Sequence, residues 1–317
     1  MRFLWLFLLI LPVVRAAELS AIHLRVAADG SGDFKTIQMA LDHAPAYSAN
    51  QRLVIELKPG HYHERVKVPQ DRPRVTLLGA NSATTSIEFS VAAKDVGGTF
   101  FSSVVEVDGA EFRASNITFE NTAGMGTQAI AISLHSDRAV FENCRFLGWQ
   151  DTVYAAMGRQ YFRKCFIAGQ VDFIFGNAAA VFDRCEMHSK GPGYVTAQSR
   201  TSPQQSTGFV FLDCQLTGEN TGNGVYLGRP WMPFSRVIYI RCRMGQHIRP
   251  EGWENWNHNA ENEKTAWYAE FGSTGPGAPS GTRVSWVHKL TSEQAAAFYP
   301  QTFLRGTDLW NPAKIIF

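Results

Sequence analysis

The chain has 317 residues, 45% of them hydrophobic and only 18% charged, with a formal net charge of +2. That length can bury a substantial core in one elongated domain. The near-neutral charge, without any basic block interleaved with aromatics, argues against a nucleic-acid binder. The 27 glycines and 22 phenylalanines fit a turn-rich β protein better than a helical one.

Residues 1–17 read as an export signal. Arg2 precedes an apolar run from Phe3 to Val14, and Val14 and Ala16 fit a small-residue cleavage pattern. The run is too short to span a bilayer. No later segment is apolar enough to do so. The expected organisation is a signal peptide over 1–17 and one domain over 18–317, secreted (extracellular, or periplasmic if the source has an outer membrane) and without a membrane span.

Beyond the signal, Leu24 to Pro45 reads as a strand, a DGSGD turn and a short helix over about 34–44. Ile37, Ala40, Leu41 and Ala44 mark its apolar face, and Pro45 ends it. The GSG lacks phosphate-loop spacing and reads as a tight turn. Short β-rich runs follow, LVIELKPG, ERVKVP and RVTLLGA, punctuated by Pro59, Gly60, Pro69 and Gly79.

The stretch Phe141–Gly176 then repeats itself. Cys144 and Cys165 lie 21 residues apart, as do Asp151 and Asp172. The register extends over Ile117, Cys144, Cys165, Cys185, Cys214 and Cys242. Two residues later stand Phe119, Phe146, Ile167, Met187, Leu216 and Met244; three before each cysteine stand Phe141, Phe162, Phe182, Phe211 and Tyr239. A period this short leaves no room for crossover helices. The expected fold is all-β, a right-handed parallel β-helix with short helical caps. The five cysteines fall on the inward ladder, which predicts mainly buried thiols, at most one or two disulfides and at least one unpaired thiol. After Cys242 the pattern changes, and the tryptophan-rich segment 250–282 reads as wrapping. Thr291 and Gln294 form a capping-box pattern that predicts a helix over 291–299.

One period of such a solenoid stacks Asp151 and Asp172 on adjacent coils, roughly 5 Å apart. Phe173 and Phe175 flank Asp172 in what reads as a strand, where an acid has little reason to stand unless it is paired or functional. Like charges this close drive one pKa up and provide an acid and a carboxylate together. From the residues alone, a polar ladder, a metal site and a glycosidase pair remain open beside an esterase. Gln128 and Gln150 are candidates to hold an oxyanion. Arg229 is a candidate to orient a carboxylate, and Trp231, Trp149 and Trp256 to stack on sugar faces. The chain has neither GxSxG nor HExxH, and no cluster with metal-ligand spacing.

Taken together, GHYHE at 60–64, TQAIAI at 127–132, GWQDTVYA at 148–155, VDFIFGNA at 171–178, TAQSR at 196–200 and LGRPW at 227–231 resemble the pectin methylesterase (pectinesterase) family. RPEGWENW at 249–256, WYAEFGSTGPGA at 267–278 and RVSW at 283–286 resemble its C-terminal pattern. The resemblance covers about Val26 to Pro312. It implies a secreted, monomeric carboxylic ester hydrolase acting on methyl-esterified homogalacturonan, with no metal and no cofactor. It assigns Asp172 as nucleophile, Asp151 as general acid/base, Gln128 and Gln150 as oxyanion donors and Arg229 as partner of Asp172. Trp231, Phe175 and Trp256 become substrate-binding residues. Trp149, Val153, Met232 and Phe234 depart from the family's more usual residues, which bears on substrate preference. A non-catalytic polysaccharide-binding β-helix, or a relative acting on another ester or thioester, is the alternative.

Overall fold

The computed structural model describes residues 20–46, 48–219, 222, 224–278 and 281–317; the signal expected over 1–17 lies outside the described residues. The central coils each contribute one strand to each of three parallel sheets, of eleven, eight and seven strands, and the end coils extend only some of them; Gly193–Tyr194 and Val225–Tyr226 form a further two-stranded sheet. One coil runs Ala139–Glu142, Arg145–Leu147 and Val153–Ala155; the next runs Arg159–Arg163, Phe166–Gly169 and Ile174–Gly176. All named strand pairs are parallel, and the stack is the right-handed parallel β-helix that the repeat predicts.

The inward ladders occupy the expected register. Phe141 pairs with Phe162, Phe162 with Phe182, Phe182 with Phe211 and Phe211 with Tyr239. Their rings stack with centroids 4.9, 4.6, 4.8 and 4.4 Å apart. Adjacent-coil spacing brings like rings into contact, so one sequence period builds a continuous aromatic column. All five cysteines are buried and free. Each thiol donates to a backbone carbonyl of the preceding coil, as Cys214 Sγ does to Phe182 O at 3.1 Å.

The corner before each cysteine has a physical signature that composition does not reveal. Asn116, Asn143, Lys164, Arg184, Asp213 and Arg241 all have φ between 50° and 60°. A single left-handed residue turns the chain from the eleven-stranded into the eight-stranded sheet; asparagine and aspartate accept that conformation most readily.

Three expectations change. The N-terminal helix is shorter, Ile37–His43, capped by Thr36, and Glu64 of the GHYHE segment accepts the Ile37 and Gln38 N–H groups at 2.7 and 2.9 Å. The segment after Cys242 does more than wrap: Trp267–Phe271 adds a strand to the eleven-stranded sheet, paired with Arg236–Ile240, and a short helix forms at Ala260–Thr265. The C-terminal helix is two short ones, Ser292–Ala296, with its capping box in place, and Pro300–Phe303.

Candidate active site

The seven-stranded sheet carries a groove on its outer face. Alternation along its three-residue strands points Val153 and Ala155 inward and Tyr154 outward; Ile174 points inward and Phe175 outward. Tyr154 and Phe175 pair in register and their rings stack at 4.6 Å. Phe175 continues towards Trp231, 6.2 Å away, and Phe100 covers Tyr154 at 5.1 Å.

The two aspartates stand at the edge of this sheet. The expectation of a strand residue at Asp172 is corrected. Asp151 and Asp172 have φ of 66° and 50°, so both occupy left-handed turns leading into the seven-stranded sheet. The turn lifts the carboxylate off the alternating pattern and into the groove. The one-period register survives: Gln150 bridges Val171, and Val153 pairs with Ile174. Asp151 therefore lies one coil before Asp172, its N–H bonded to Val171 O at 3.1 Å. Gln128 bridges Gln150 one coil earlier still, so the two glutamines are stacked neighbours. Gly176 ends the DFIFG strand at φ 116°, where a Cβ would come 2.2 Å from the Ala155 carbonyl oxygen. Only glycine lets these coils close at that point.

Arg229 reaches across one intervening coil to grip Asp172. Its Nε donates to Oδ1 at 3.0 Å and its Nη2 to Oδ2 at 2.7 Å. The guanidinium carbon lies 3.9 Å from the Tyr194 ring centre and 4.2 Å from that of Trp256. Asp151 and Asp172 are only 8% and 5% exposed, yet their electrostatics diverge. Burial pushes the Asp151 carboxyl well above the ordinary carboxylate range, and the neighbouring Asp172 pushes it further; Arg229 only partly opposes this. Burial also raises Asp172, but the two Arg229 hydrogen bonds and its charge pull back directly, against a smaller opposing push from Glu254. Both carboxyls end above the ordinary carboxylate range, Asp151 well above it and Asp172 less so, so Asp172 is the one that ionises first.

The groove encloses about 330 Å³ and is lined by Gln128, Gln150, Asp151, Asp172, Phe175, Arg229, Trp231 and Trp256, all of the sequence candidates except Trp149. Thr99 and Phe100 complete one wall and were not anticipated. Tyr154 and Tyr194 were also missed, although Tyr154 lies 21 residues before Phe175, the repeat interval itself. Trp149 stacks on Lys190 at 3.7 Å outside the groove lining. Phe234 faces a different hollow with Arg200 and Trp267, and Gln198 of TAQSR is a buried bonding hub for Arg200 and Arg236 backbone N–H groups. Among the described residues, no three His, Cys, Asp or Glu side chains cluster as metal ligands.

Solenoid and groove together define a β-helix enzyme. The Pectinesterase family model matches residues 23–307, and the chain belongs to that family. It is 45% identical over 291 residues to Pectinesterase 31 of Arabidopsis thaliana, covering 88% of this chain and 91% of that protein. It is 41% identical to Pectinesterase/pectinesterase inhibitor U1 of Solanum lycopersicum over 89% of this chain, but spans only 50% of that longer protein. The solved pectin methylesterase from carrot superposes with a TM-score of 0.87 at 38% identity, over 93% of this chain and 96% of that one.

Proposed function

We propose that the chain hydrolyses methyl esters of homogalacturonan, releasing methanol and leaving pectate. The observation that carries this reading is the bidentate Arg229–Asp172 pair beside the proton-holding Asp151, within reach of two amide side chains in an aromatic groove. One ionised and one protonated carboxyl are what acyl transfer requires, and the aromatic walls suit sugar faces.

In this reading an Asp172 oxygen attacks the ester carbonyl carbon. The carbonyl electron pair moves onto its oxygen, where the Gln128 and Gln150 amides donate to it. Collapse breaks the bond to methoxide, which takes the Asp151 proton and leaves as methanol. An anhydride between Asp172 and the uronate remains. Asp151, now a carboxylate, takes a proton from water as the water oxygen attacks the uronate carbon. The anhydride bond breaks, Asp172 recovers its charge, and Asp151 is protonated again. Nothing in these steps calls for a metal or cofactor.

The export signal expected at 1–17 and the extracellular polymer support action outside the cell, and we read the protein as acting as a monomer. No described helix is long and apolar enough to cross a membrane. Incubating the purified protein with highly methylated pectin tests the reading. Methanol release by the parent, abolished in folded D172N, is expected. Unsaturated products absorbing in the ultraviolet without methanol would indicate a lyase instead.

A further inference from the structure

We propose that Tyr194 is a positioning residue that, together with Trp256, clamps the Arg229 guanidinium face-on and so fixes the aim of Asp172. The inference rests on the reading of Asp172 as nucleophile. Tyr194 was not among the residues expected to serve this site.

The geometry starts from the coil register. Ile174 pairs with Thr196, which makes Tyr194 the residue one coil beyond Asp172 on the same edge. The line along that edge is therefore Asp151, Asp172, Tyr194 and Tyr226, since Tyr194 pairs with Tyr226. The two tyrosine rings stack at 5.4 Å and 10°. Tyr226 thus backs Tyr194 from the far side, and Arg249 backs Tyr226 at 4.8 Å. On its near side Tyr194 presents its face to Arg229 at 3.9 Å. The Trp256 ring is the second aromatic neighbour of the guanidinium, its centre 4.2 Å from the guanidinium carbon.

An arginine has many rotamers and binds a carboxylate in a plane. Two hydrogen bonds to Asp172 fix the guanidinium within its plane, but rotation about the pair is checked only by what packs on its faces. Here both neighbours are aromatic, and each attracts a cation through its ring. Trp256 also lines the groove, so its loss would mix substrate contact with positioning. Tyr194 does not line the groove and isolates the clamp.

The charged and titratable groups around the pair are Asp151 from the preceding coil, Glu254 from the segment carrying Trp256, and the phenols of Tyr194 and Tyr268. Arg229 is the group that pulls the Asp172 pKa down, against burial and Glu254, which raise it. Loosening Arg229 therefore raises the Asp172 pKa and shrinks its ionised fraction at a given acidic pH. The acid limb of kcat/KM must move to higher pH.

The test compares Tyr194→Leu, which keeps apolar bulk but no ring, with Tyr194→Phe, which keeps the ring. Y194L is expected to lose about tenfold in kcat, with KM little changed, from one cation–π contact. Its acid limb is expected to rise by roughly half a pH unit or more. Y194F should restore both the limb and the rate. A limb that stays put in Y194L, or moves equally in Y194F, overturns the proposal, as does a loss confined to KM. A second readout does not depend on turnover. In a proton–nitrogen correlation spectrum, the Arg229 Nε–H, in a guanidinium packed by the Tyr194 and Trp256 rings, should carry a ring-current shift that Y194L reduces and Y194F keeps. An unshifted resonance in Y194L sinks the clamp even if the parent released no methanol, whereas a silent parent with the shift intact sinks only the reading of the reaction.

Discussion

Asp151 and Asp172 are the same residue type in the same kind of left-handed turn, one coil apart and almost equally buried. Only the partner differs, because Arg229 reaches Asp172 with both hydrogen bonds. That asymmetry predicts opposite limbs of the pH profile. kcat/KM should fall at low pH as Asp172 takes up a proton and fall at high pH as Asp151 loses one. It also predicts a stability effect. Burial raises the Asp151 pKa above its unfolded value, so the native state binds the proton more tightly. The stability from this group is fully present below the unfolded pKa and lost as pH rises through the raised native one. Asp151→Asn has nearly the same shape and never ionises, so it escapes that loss. D151N should melt above the parent at about pH 8, with the gap narrowing as pH falls and closing only below about pH 3, where the parent carboxyl is protonated in both states. Methanol release should meanwhile fall by about 10²–10⁴. A melting gap that does not change with pH would mean that Asp151 is already ionised in the parent.

Within a coil, the inward side chains set register and the corners set direction. Phe162 lies between Phe141 and Phe182 with an edge contact to Phe146, and is fully buried. Phe162→Ala removes the ring and leaves a cavity whose walls are other ladder members. The expected cost is about 3–5 kcal/mol by chemical denaturation, against less than half that for Phe162→Leu. Equal costs would show that the ring stack adds nothing beyond bulk. These ladder positions were legible because a fixed interval of 20 to 29 residues repeats a residue class at each coil. The same logic put Asp151 beside Asp172. It did not reveal that both occupy turns, since a strand of three residues is too short for alternation to distinguish it from its corner. It missed Tyr194 because its interval to Asp172 is 22 and a Pro192 turn intervenes. It missed the strand Trp267–Phe271 because Ser273, whose hydroxyl accepts the Cys242 N–H, stands where another cysteine would have marked the coil.

Each coil of a solenoid is covered by its neighbours, so the two ends are where the apolar column must be closed. At the start the helix Ile37–His43 turns Ile37, Ala40 and Leu41 onto the first coils, and Glu64 fixes its first turn. At the far end closure is aromatic and ionic at once. Trp253 is buried against Tyr239 and Tyr268, with ring centroids 5.6 and 4.4 Å apart, and Trp286 covers Tyr268 at 5.5 Å. Beneath them the Glu270 and Arg283 side chains form an ion pair at 2.8 Å, each only 4% exposed. Glu270 Oε1 also accepts the Trp253 indole N–H at 3.2 Å. Arg283 donates in addition to the carbonyls of Arg249, Pro250 and Gly277 at 3.0, 3.0 and 2.8 Å. One guanidinium therefore ties the last full strand to two loops, at Arg249–Pro250 and Gly277, that lack a ladder of their own. Desolvating such a pair is costly, and its net worth lies in what happens when one member is removed. Arg283→Ala leaves Glu270 buried without its cation and frees three carbonyls, and should cost about 3–5 kcal/mol. The double variant R283M/E270L removes both charges and keeps the bulk, so it should recover a large part of that loss. Chemical denaturation of the parent and both variants decides between the two roles. If the double variant is as unstable as R283A, the three carbonyl bonds, and not the buried charge of Glu270, hold the closing end together.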